Sequence, residues 1–302
     1  MLGYFGPEGT FTHQALLTLR PGEDMTAYPS VGATLDAIRA GQVSAGLVPI
    51  ENSVEGGVSA TLDNLALGKP LVIVAEVVIP IRFNLYVRPG TPLTAVARVV
   101  THAHAHAQVR GWIEAHLPGA TVTERGSTAA GAAEVAKPDS AFDAAVASAA
   151  AGELYGLEAV AQDIADNDEA VTRFILLSQP VPPPPATGHD KTSVIMHMRQ
   201  DRPGALMEML EQFALRGVNL CRIESRPAKD RLGNYYFSVD AEGHVTDARL
   251  SEALQGLHRV CKKVDYLGSY PRADLTEPVV REGFRDSDFT RANAWLTKLL
   301  NP

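Results

Sequence analysis

Apolar and polar positions follow one another along the first 180 residues in two different periods. Continuous apolar runs such as LGYF, SAGLVPI and VTRFILL predict buried strands, whereas TFTHQALLTL and VGATLDAIRAG have the spacing of amphipathic helices. Ser30 stands where it can cap the second of these helices. Because strand and helix patterns alternate, we predict an α/β region with mostly parallel strands covered by helices on both faces.

The pattern changes after the proline-rich stretch SQPVPPPPATGHD, residues 178–190. Four consecutive prolines favour an extended, semi-rigid spacer. The later elements read strand, helix, strand, strand, helix, strand, which predicts an α+β βαββαβ sheet with both helices on one face. We predict a first domain over 1–180, a linker over 181–190, a second domain over 191–272 and a helical tail over 273–302. The first domain is predicted to have two lobes, one over 1–78 plus 164–180 and one over 79–163.

Composition and charge exclude several classes of protein. The chain has 302 residues and a formal charge of −8, which argues against a nucleic acid or an anionic membrane as partner, because phosphate contacts need a basic surface. Cys221 and Cys261 are too few for a disulfide framework and lack zinc-site spacing. The longest apolar stretch contains Glu76 and two prolines, and no signal-peptide pattern opens the sequence, so we expect a cytoplasmic location.

Polar side chains gather where predicted strands end and helices begin. The loop GPEGTFTHQA contains Thr10 and presents backbone N–H groups beside a helix N-terminus, which suits a carboxylate or phosphate, although a plain turn explains it equally. PIENSVEGGV places Asn52, Ser53 and Glu55 at a strand end, which is more polar chemistry than a turn requires. RGSTAAGAAE adds Ser127, as a helix cap or as a donor to a ligand.

The three alternating histidines of VVTHAHAHAQ invite a metal-site interpretation. The segment enters a helix, however, where residues two apart point to different faces, so we predict no metal there. Thr101 and His102 at the strand end, and Gln108 in the following helix, are better candidates for ligand contacts.

The late strand VTRFILL begins with Thr172 and Arg173 side by side. A guanidinium can bind a carboxylate in bidentate fashion, and a hydroxyl can donate to a ligand oxygen. In the alternative interpretation both residues only terminate the strand and pair with Asp166 or Asp168.

Taken in order, GPEGTFT, PIENSVEGG, STAA, ELYGLE and TRF resemble the prephenate dehydratase family over nearly the whole chain. The resemblance implies a two-lobed α/β domain similar to periplasmic binding proteins, with the site in the cleft. It implies conversion of prephenate to phenylpyruvate, with loss of carbon dioxide and water, in phenylalanine biosynthesis. No metal or organic cofactor is implied.

The resemblance also assigns site residues. The family's essential threonine falls on Thr172, its ligand-contacting asparagine on Asn52 and its glutamine on Gln108. The chain has THAHAHAQ where the family often has SHPQALAQ. The predicted catalytic residues are Thr172, Arg173 and Glu55, with Glu55 or His102 as alternative acids. The predicted substrate contacts are Asn52, Ser53, Thr101, His102, Gln108, Ser127, Thr10 and Phe174.

The second domain resembles an ACT regulatory domain, because RPGALMEML and IESRP match that family's two phenylalanine-binding stretches. The expected contacts of the effector L-phenylalanine are Gly204, Ala205, Leu206, Asn219, Glu224, Ser225, Arg226 and Pro227. A small sheet with open edges buries more surface when paired, so we expect a homodimer or homotetramer. Two alternatives stay open: an arogenate dehydratase, and a non-catalytic cytoplasmic amino-acid sensor.

Overall fold

A computed structural model describes residues 1–229 and 234–301. The predicted connection KDRLG therefore lies, apart from Lys229, outside the described residues. The strands are β1 (Leu2–Phe5), β2 (Met25–Tyr28), β3 (Ala45–Asn52), β4 (Gly56–Gly57), β5 (Val72–Pro80), β6 (Asn84–Val87), β7 (Arg98–His102), β8 (Thr121–Arg125), β9 (Ala144–Ala147), β10 (Glu158–Ala161), β11 (Val171–Ser178), β12 (Asp190–His197), β13 (Leu220–Pro227), β14 (Tyr235–Glu242) and β15 (Lys263–Pro271). The α-helices are α1 (Phe11–Leu19), α2 (Val31–Arg39), α3 (Ser59–Leu67), α4 (Ala103–His116), α5 (Thr128–Val135), α6 (Ala149–Leu154), α7 (Ala205–Ala214), α8 (Ala248–Val260) and α9 (Asp286–Leu300).

The chain divides into two compact units at three boundaries. The first unit contains Met1–Val58 and Val77–Phe174, and the second contains Ser59–Glu76 and Ile175–Pro302. The first boundary lies at the start of α3, and the other two lie within β5 and β11. Within the described ranges, no helix is long and apolar enough to cross a membrane.

Two sheets carry the strands before the proline-rich stretch. The first has the order β2-β1-β3-β11-β5, with the short β4 paired to β3, and β1 is parallel to both of its neighbours. The second has the order β10-β6-β9-β7-β8. Its β7 is parallel to β8 and β9, but β6 is antiparallel to both β9 and β10. The prediction of mostly parallel strands is therefore wrong for the second sheet, which is mixed.

Helix caps follow the pattern expected from the sequence. The Ser30 side chain accepts a hydrogen bond from the N–H of Ala33 at 3.1 Å, which confirms the predicted cap of α2.

Strands β2 and β10 were not predicted because they are short and mostly half-exposed, so they leave no long apolar run in the sequence. Their pairing depends on neighbouring strands rather than on their own composition.

The second unit contains an antiparallel sheet of order β13-β14-β12-β15, and its element order is the predicted βαββαβ. Helices α7 and α8 pack on one apolar cluster that includes Val194, Val239, Phe213 and Leu257. Gly204 caps α7 with a left-handed φ of 84°, a conformation that favours glycine. Within the tail over 273–302, α9 covers Asp286–Leu300, and its residues Trp295 and Leu299 are exposed.

A buried ion pair joins β5 to β12 within the second unit. The ammonium of Lys191 lies 3.0 and 3.1 Å from the two carboxylate oxygens of Glu76, and both side chains are almost fully buried. Glu76 also accepts the backbone N–H of Ala273 at 2.9 Å. The pair fixes the sheet of this unit to the first half of β5.

Replacing Lys191 with methionine is expected to lower the free energy of unfolding by about 3 kcal/mol, because it leaves the Glu76 carboxylate buried without its cation. Chemical denaturation of the variant measures this change. Lys263→Met is the matched control, since Lys263 pairs with Asp265 while 59% exposed, and its loss should cost less than about 1 kcal/mol. Equal stability of the two variants would contradict the structural role of the buried pair.

Candidate active site

The first unit contains a cavity of about 210 Å³ at the ends of β3, β7 and β11. Seven of the predicted site residues line it: Thr10, Asn52, His102, Gln108, Ser127, Thr172 and Phe174. The apolar part of the wall consists of Phe5, Phe11, Pro49, Ile81, Phe83, Ala105 and Phe174. A cavity with an apolar wall and a few polar groups is typical of a small-molecule site.

Three helices begin at this cavity. Thr10 caps α1, His102 caps α4 and Ser127 caps α5, and all three capping residues line the wall. A helix N-terminus carries unpaired N–H groups and the positive end of the helix dipole. Their convergence makes the cavity suited to an anion without any lysine or arginine in its described lining.

The Thr172 hydroxyl is held by an oriented amide. Asn52 Oδ1 accepts the backbone N–H groups of Val54 at 2.8 Å and Glu55 at 3.2 Å. The Asn52 amide nitrogen must then face Thr172, to whose hydroxyl oxygen it donates at 2.8 Å. Since that oxygen is already an acceptor, the hydroxyl proton of Thr172 is available to a ligand in the cavity. These contacts bring together the ends of β3 and β11.

Gln108 presents a second polar group to the cavity. Its Oε1 atom is buried and has no hydrogen-bond partner among the described residues. An unsatisfied buried carbonyl costs free energy unless a ligand or water donates to it. The aromatic wall provides an apolar surface, where Phe11 packs against Phe83 edge to face with ring centroids 5.5 Å apart.

His102 and His104 also line the cavity, and their hydrogen-bond partners differ. His102 Nδ1 accepts the backbone N–H of His104 at 3.3 Å. Burial lowers the pKa of His102, the neighbouring His104 lowers it further, and Glu55 and Glu124 oppose the shift. His104 instead places Nδ1 2.6 Å from a carboxylate oxygen of Glu55.

Four predicted site residues lie outside the lining. The Arg173 guanidinium lies 3.6 Å from Glu51, because neighbouring strand residues point to opposite faces and Thr172 occupies the cavity face. Thr101 is fully buried and donates to the carbonyl of Val146 at 2.9 Å. Neither the Arg173 nor the Thr101 side chain lines the cavity in this structure.

Ser53 and Glu55 border the site without lining it. Ser53 Oγ accepts the N–H of Val171 at 3.0 Å, and its own N–H donates to the Val171 carbonyl at 3.0 Å. These two hydrogen bonds hold the start of β11 beside Asn52. Glu55 contacts the cavity through His104.

Sequence patterns do not identify His104, Phe11 and Phe83 as lining residues. The signal that indicates His104 is its position in the first turn of a helix that follows a strand. Within residues 1–229 and 234–301, no group of three or more His, Cys, Asp or Glu side chains is placed to hold a metal ion.

A second cavity lies in the second unit, with a volume of about 400 Å³. It is formed by the start of α7 and by the strands β13 and β14. Of the predicted effector contacts, it brings together Gly204, Ala205, Leu206 and Ser225. Asn219, Glu224, Arg226 and Pro227 do not line it; Glu224 faces Arg222 at 3.6 Å, and Arg226 contacts Asp63 at 3.4 Å.

Fold and site together define an α/β protein with a small-molecule cavity suited to an anion and an additional βαββαβ unit. The family model for prephenate dehydratase matches residues 2–181. A prephenate dehydratase of Amycolatopsis methanolica is 44% identical over 98% of this chain and 96% of its own length. The chain belongs to the prephenate dehydratase family.

Two solved structures are similar to the chain, one named as a prephenate dehydratase and one with a different description. The crystal structure of prephenate dehydratase from Arthrobacter aurescens in complex with L-Phe matches with a TM-score of 0.95 and 47% identity, over 100% of this chain and 99% of that one. A structure described as a novel type of quorum quenching acylase matches with a TM-score of 0.80 and 32% identity, over 89% of this chain and 97% of that one.

Proposed function

We propose that the chain converts prephenate to phenylpyruvate in the cavity of the first unit. The observation that carries the proposal is the Asn52–Thr172 hydrogen bond inside a cavity onto which three helix N-termini open. Prephenate carries two carboxylates and a leaving hydroxyl on a ring that becomes aromatic. The site therefore has to bind two anions, hold an apolar ring and assist the departure of hydroxide.

The helix N-termini at Thr10, His102 and Ser127 can bind the carboxylates of the substrate. We assign carboxylate binding to them rather than to Arg173, whose guanidinium lies beside Glu51. Partial charges of this kind are suitable, because the ring carboxylate has to leave as carbon dioxide. A strong ion pair with that group would stabilise the substrate more than the transition state.

Thr172 assists the departure of hydroxide as a positioned hydrogen-bond donor. As the carbon–oxygen bond breaks, negative charge develops on the departing oxygen, and the hydroxyl proton of Thr172 stabilises it. Asn52 keeps that proton directed to the ligand by donating to the threonine oxygen. The bond between the ring and its carboxylate breaks and carbon dioxide departs, and the electron pair of that bond enters the ring. The carbon–oxygen bond breaks in turn, and the hydroxide takes up one proton to leave as water.

The test of this function is phenylpyruvate formation from prephenate by the purified full chain, compared with phenylalanine formation from arogenate under the same conditions. We expect kcat/KM to favour prephenate. Preference for arogenate would make the chain an arogenate dehydratase. Failure to turn over either compound would refute the catalytic role of the cavity.

We also propose that L-phenylalanine binds the cavity of the second unit and inhibits turnover. Gly204, Ala205 and Leu206 place the N-terminus of α7 at this cavity, where it suits the carboxylate of an amino acid. The Arthrobacter aurescens relative was solved in complex with L-Phe, which supports the choice of effector. The exposed apolar side chains of Met207, Ile223 and Tyr235 nearby support pairing of two such units in a homodimer or homotetramer.

Strands β13 and β14 connect the effector cavity to helix α3. Their alternating side chains reach both faces of the sheet: Ser225 and Phe237 line the cavity, while Arg226 and Tyr236 contact Asp63 on the other face. The Tyr236 hydroxyl donates to Asp63 at 2.8 Å. Burial alone would raise the pKa of Asp63, but hydrogen bonds from Lys229, Tyr236 and Arg226 lower it overall.

Asp63→Asn is expected to raise the phenylalanine concentration for half-inhibition about tenfold, while kcat without phenylalanine stays within about threefold of wild type. The reason is that α3 directly follows the segment Asn52–Val58, so its contact with β13 and β14 carries the coupling. Inhibition curves measure the shift. Asp265→Asn, which removes the partner of His197 and Lys263 on the same sheet, is the matched control and should leave inhibition unchanged. Unaltered inhibition in Asp63→Asn would refute this route.

A further inference from the structure

No lysine or arginine appears in the lining of the active-site cavity, as far as the chain is described. The proposed substrate nevertheless carries two carboxylates. The side chains of the lining that can gain a full positive charge are His102 and His104. Their environments differ, so they need separate assignment.

His102 is held in its neutral form by its surroundings. Its Nδ1 atom accepts the backbone N–H of His104, which requires an unprotonated nitrogen. Burial, followed by the positive charge of His104, lowers the pKa of His102. The ring is therefore a neutral donor through Nε2 and part of the N-terminal cap of α4.

His104 has the opposite surroundings. Its Nδ1 atom lies 2.6 Å from a carboxylate oxygen of Glu55, so Nδ1 carries a proton. Glu55 accepts the Nδ1 proton, and Nε2 remains the ring nitrogen that can donate to a ligand. The side chain is 65% exposed, which places this group at the mouth of the cavity that it lines.

We propose that the His104 imidazolium, positioned by Glu55, binds the substrate carboxylate that is retained in the product, at the mouth of the cavity. The inference rests on the proposed function, since it concerns how this chain recognises that substrate. Glu55, predicted from the sequence as a catalytic acid, then acts as a positioning residue. His104 determines affinity for the dianion, whereas Thr172 determines the chemical step.

The contact distinguishes two histidines of the same helix. His104 lines the cavity and lies 2.6 Å from Glu55, whereas His106 lies 3.5 Å from Glu124 and outside the cavity lining. Substrate affinity should therefore depend on His104 and not on His106.

The experiment measures kcat and KM for prephenate at neutral pH, with wild type, His104→Gln, Glu55→Gln, the double variant of both and His106→Gln. For His104→Gln, KM should rise about five- to tenfold while kcat stays within about twofold of wild type. Glu55→Gln should raise KM by a smaller factor, and the double variant should lose no more affinity than His104→Gln alone, which a merely structural role would not produce. His106→Gln, the neighbouring histidine of the same helix, should behave as wild type.

Several results would overturn the inference. One is a KM of His104→Gln that equals the wild-type KM. Another is a fall in kcat at unchanged KM, which would make His104 a proton donor instead of a substrate contact. Wild-type protein without activity on prephenate would refute the proposed function itself, and this outcome is distinguishable from failure of the His104 assignment.

Discussion

Replacing Thr172 with valine is expected to lower kcat for prephenate by about 10²- to 10³-fold, with KM changed by less than about threefold. Valine keeps the shape of the side chain and the strand propensity of β11, but it cannot donate to the departing oxygen. Because Thr172 is 8% exposed and its oxygen is an acceptor for Asn52, the fold should also lose about 1 kcal/mol of stability. Steady-state kinetics and chemical denaturation measure the two effects separately.

Thr172→Ser is the control for this prediction. Serine keeps the hydroxyl, so activity should return to within about tenfold of wild type even though a methyl group is lost from a buried position. Near-wild-type turnover by the valine variant would show that the hydroxyl takes no part in the chemistry. Equal loss in the valine and serine variants would point to packing instead of hydrogen bonding.

Asn52→Asp is expected to reduce kcat/KM by about 10²-fold or more, although the change is nearly isosteric. A carboxylate can still accept the N–H groups of Val54 and Glu55, so the local backbone should persist. It cannot donate to Thr172; the threonine hydroxyl would donate to it instead and turn its proton away from the substrate. The added negative charge also repels a dianionic ligand.

The double variant Asn52→Asp/Thr172→Val tests whether the two residues act as a unit. If Asn52 works mainly through Thr172, the double variant should lose little more kcat than Thr172→Val alone, because residues that act together are not additive. Fully additive losses would contradict the hydrogen-bonded arrangement. Circular dichroism of each variant checks that the fold is retained.

Much of this site could be predicted because strand ends meet at one edge of a sheet. Asn52 and Thr172 stand 120 positions apart in sequence, yet each is a polar residue next to an apolar run, and the structure joins them at 2.8 Å. The capping residues Thr10 and Ser127 could be read from the sequence for the same reason. Local rules of strands and helix starts suffice for such positions.

Other features depend on contacts that no local pattern reveals. Alternation along β11 puts Thr172 and Arg173 on opposite faces. Only the tertiary contacts, Thr172 with Asn52 and Arg173 with Glu51, show that the cavity lies on the Thr172 face. The antiparallel pairing of β6, the salt bridge from His104 to Glu55 and the contacts of Asp63 with Arg226 likewise come from tertiary structure. The assignment of the later unit as an ACT domain and the oligomeric state stay predictions.

The most direct test of the account measures initial rates of phenylpyruvate formation by the full chain over a range of prephenate concentrations, with and without L-phenylalanine. We predict turnover that phenylalanine suppresses even at saturating prephenate, since the two ligands occupy cavities in different units. Inhibition that disappears at saturating prephenate would place phenylalanine in the active-site cavity. Absence of turnover, with phenylalanine still bound, would contradict the central claim that Thr172 and its cavity perform catalysis.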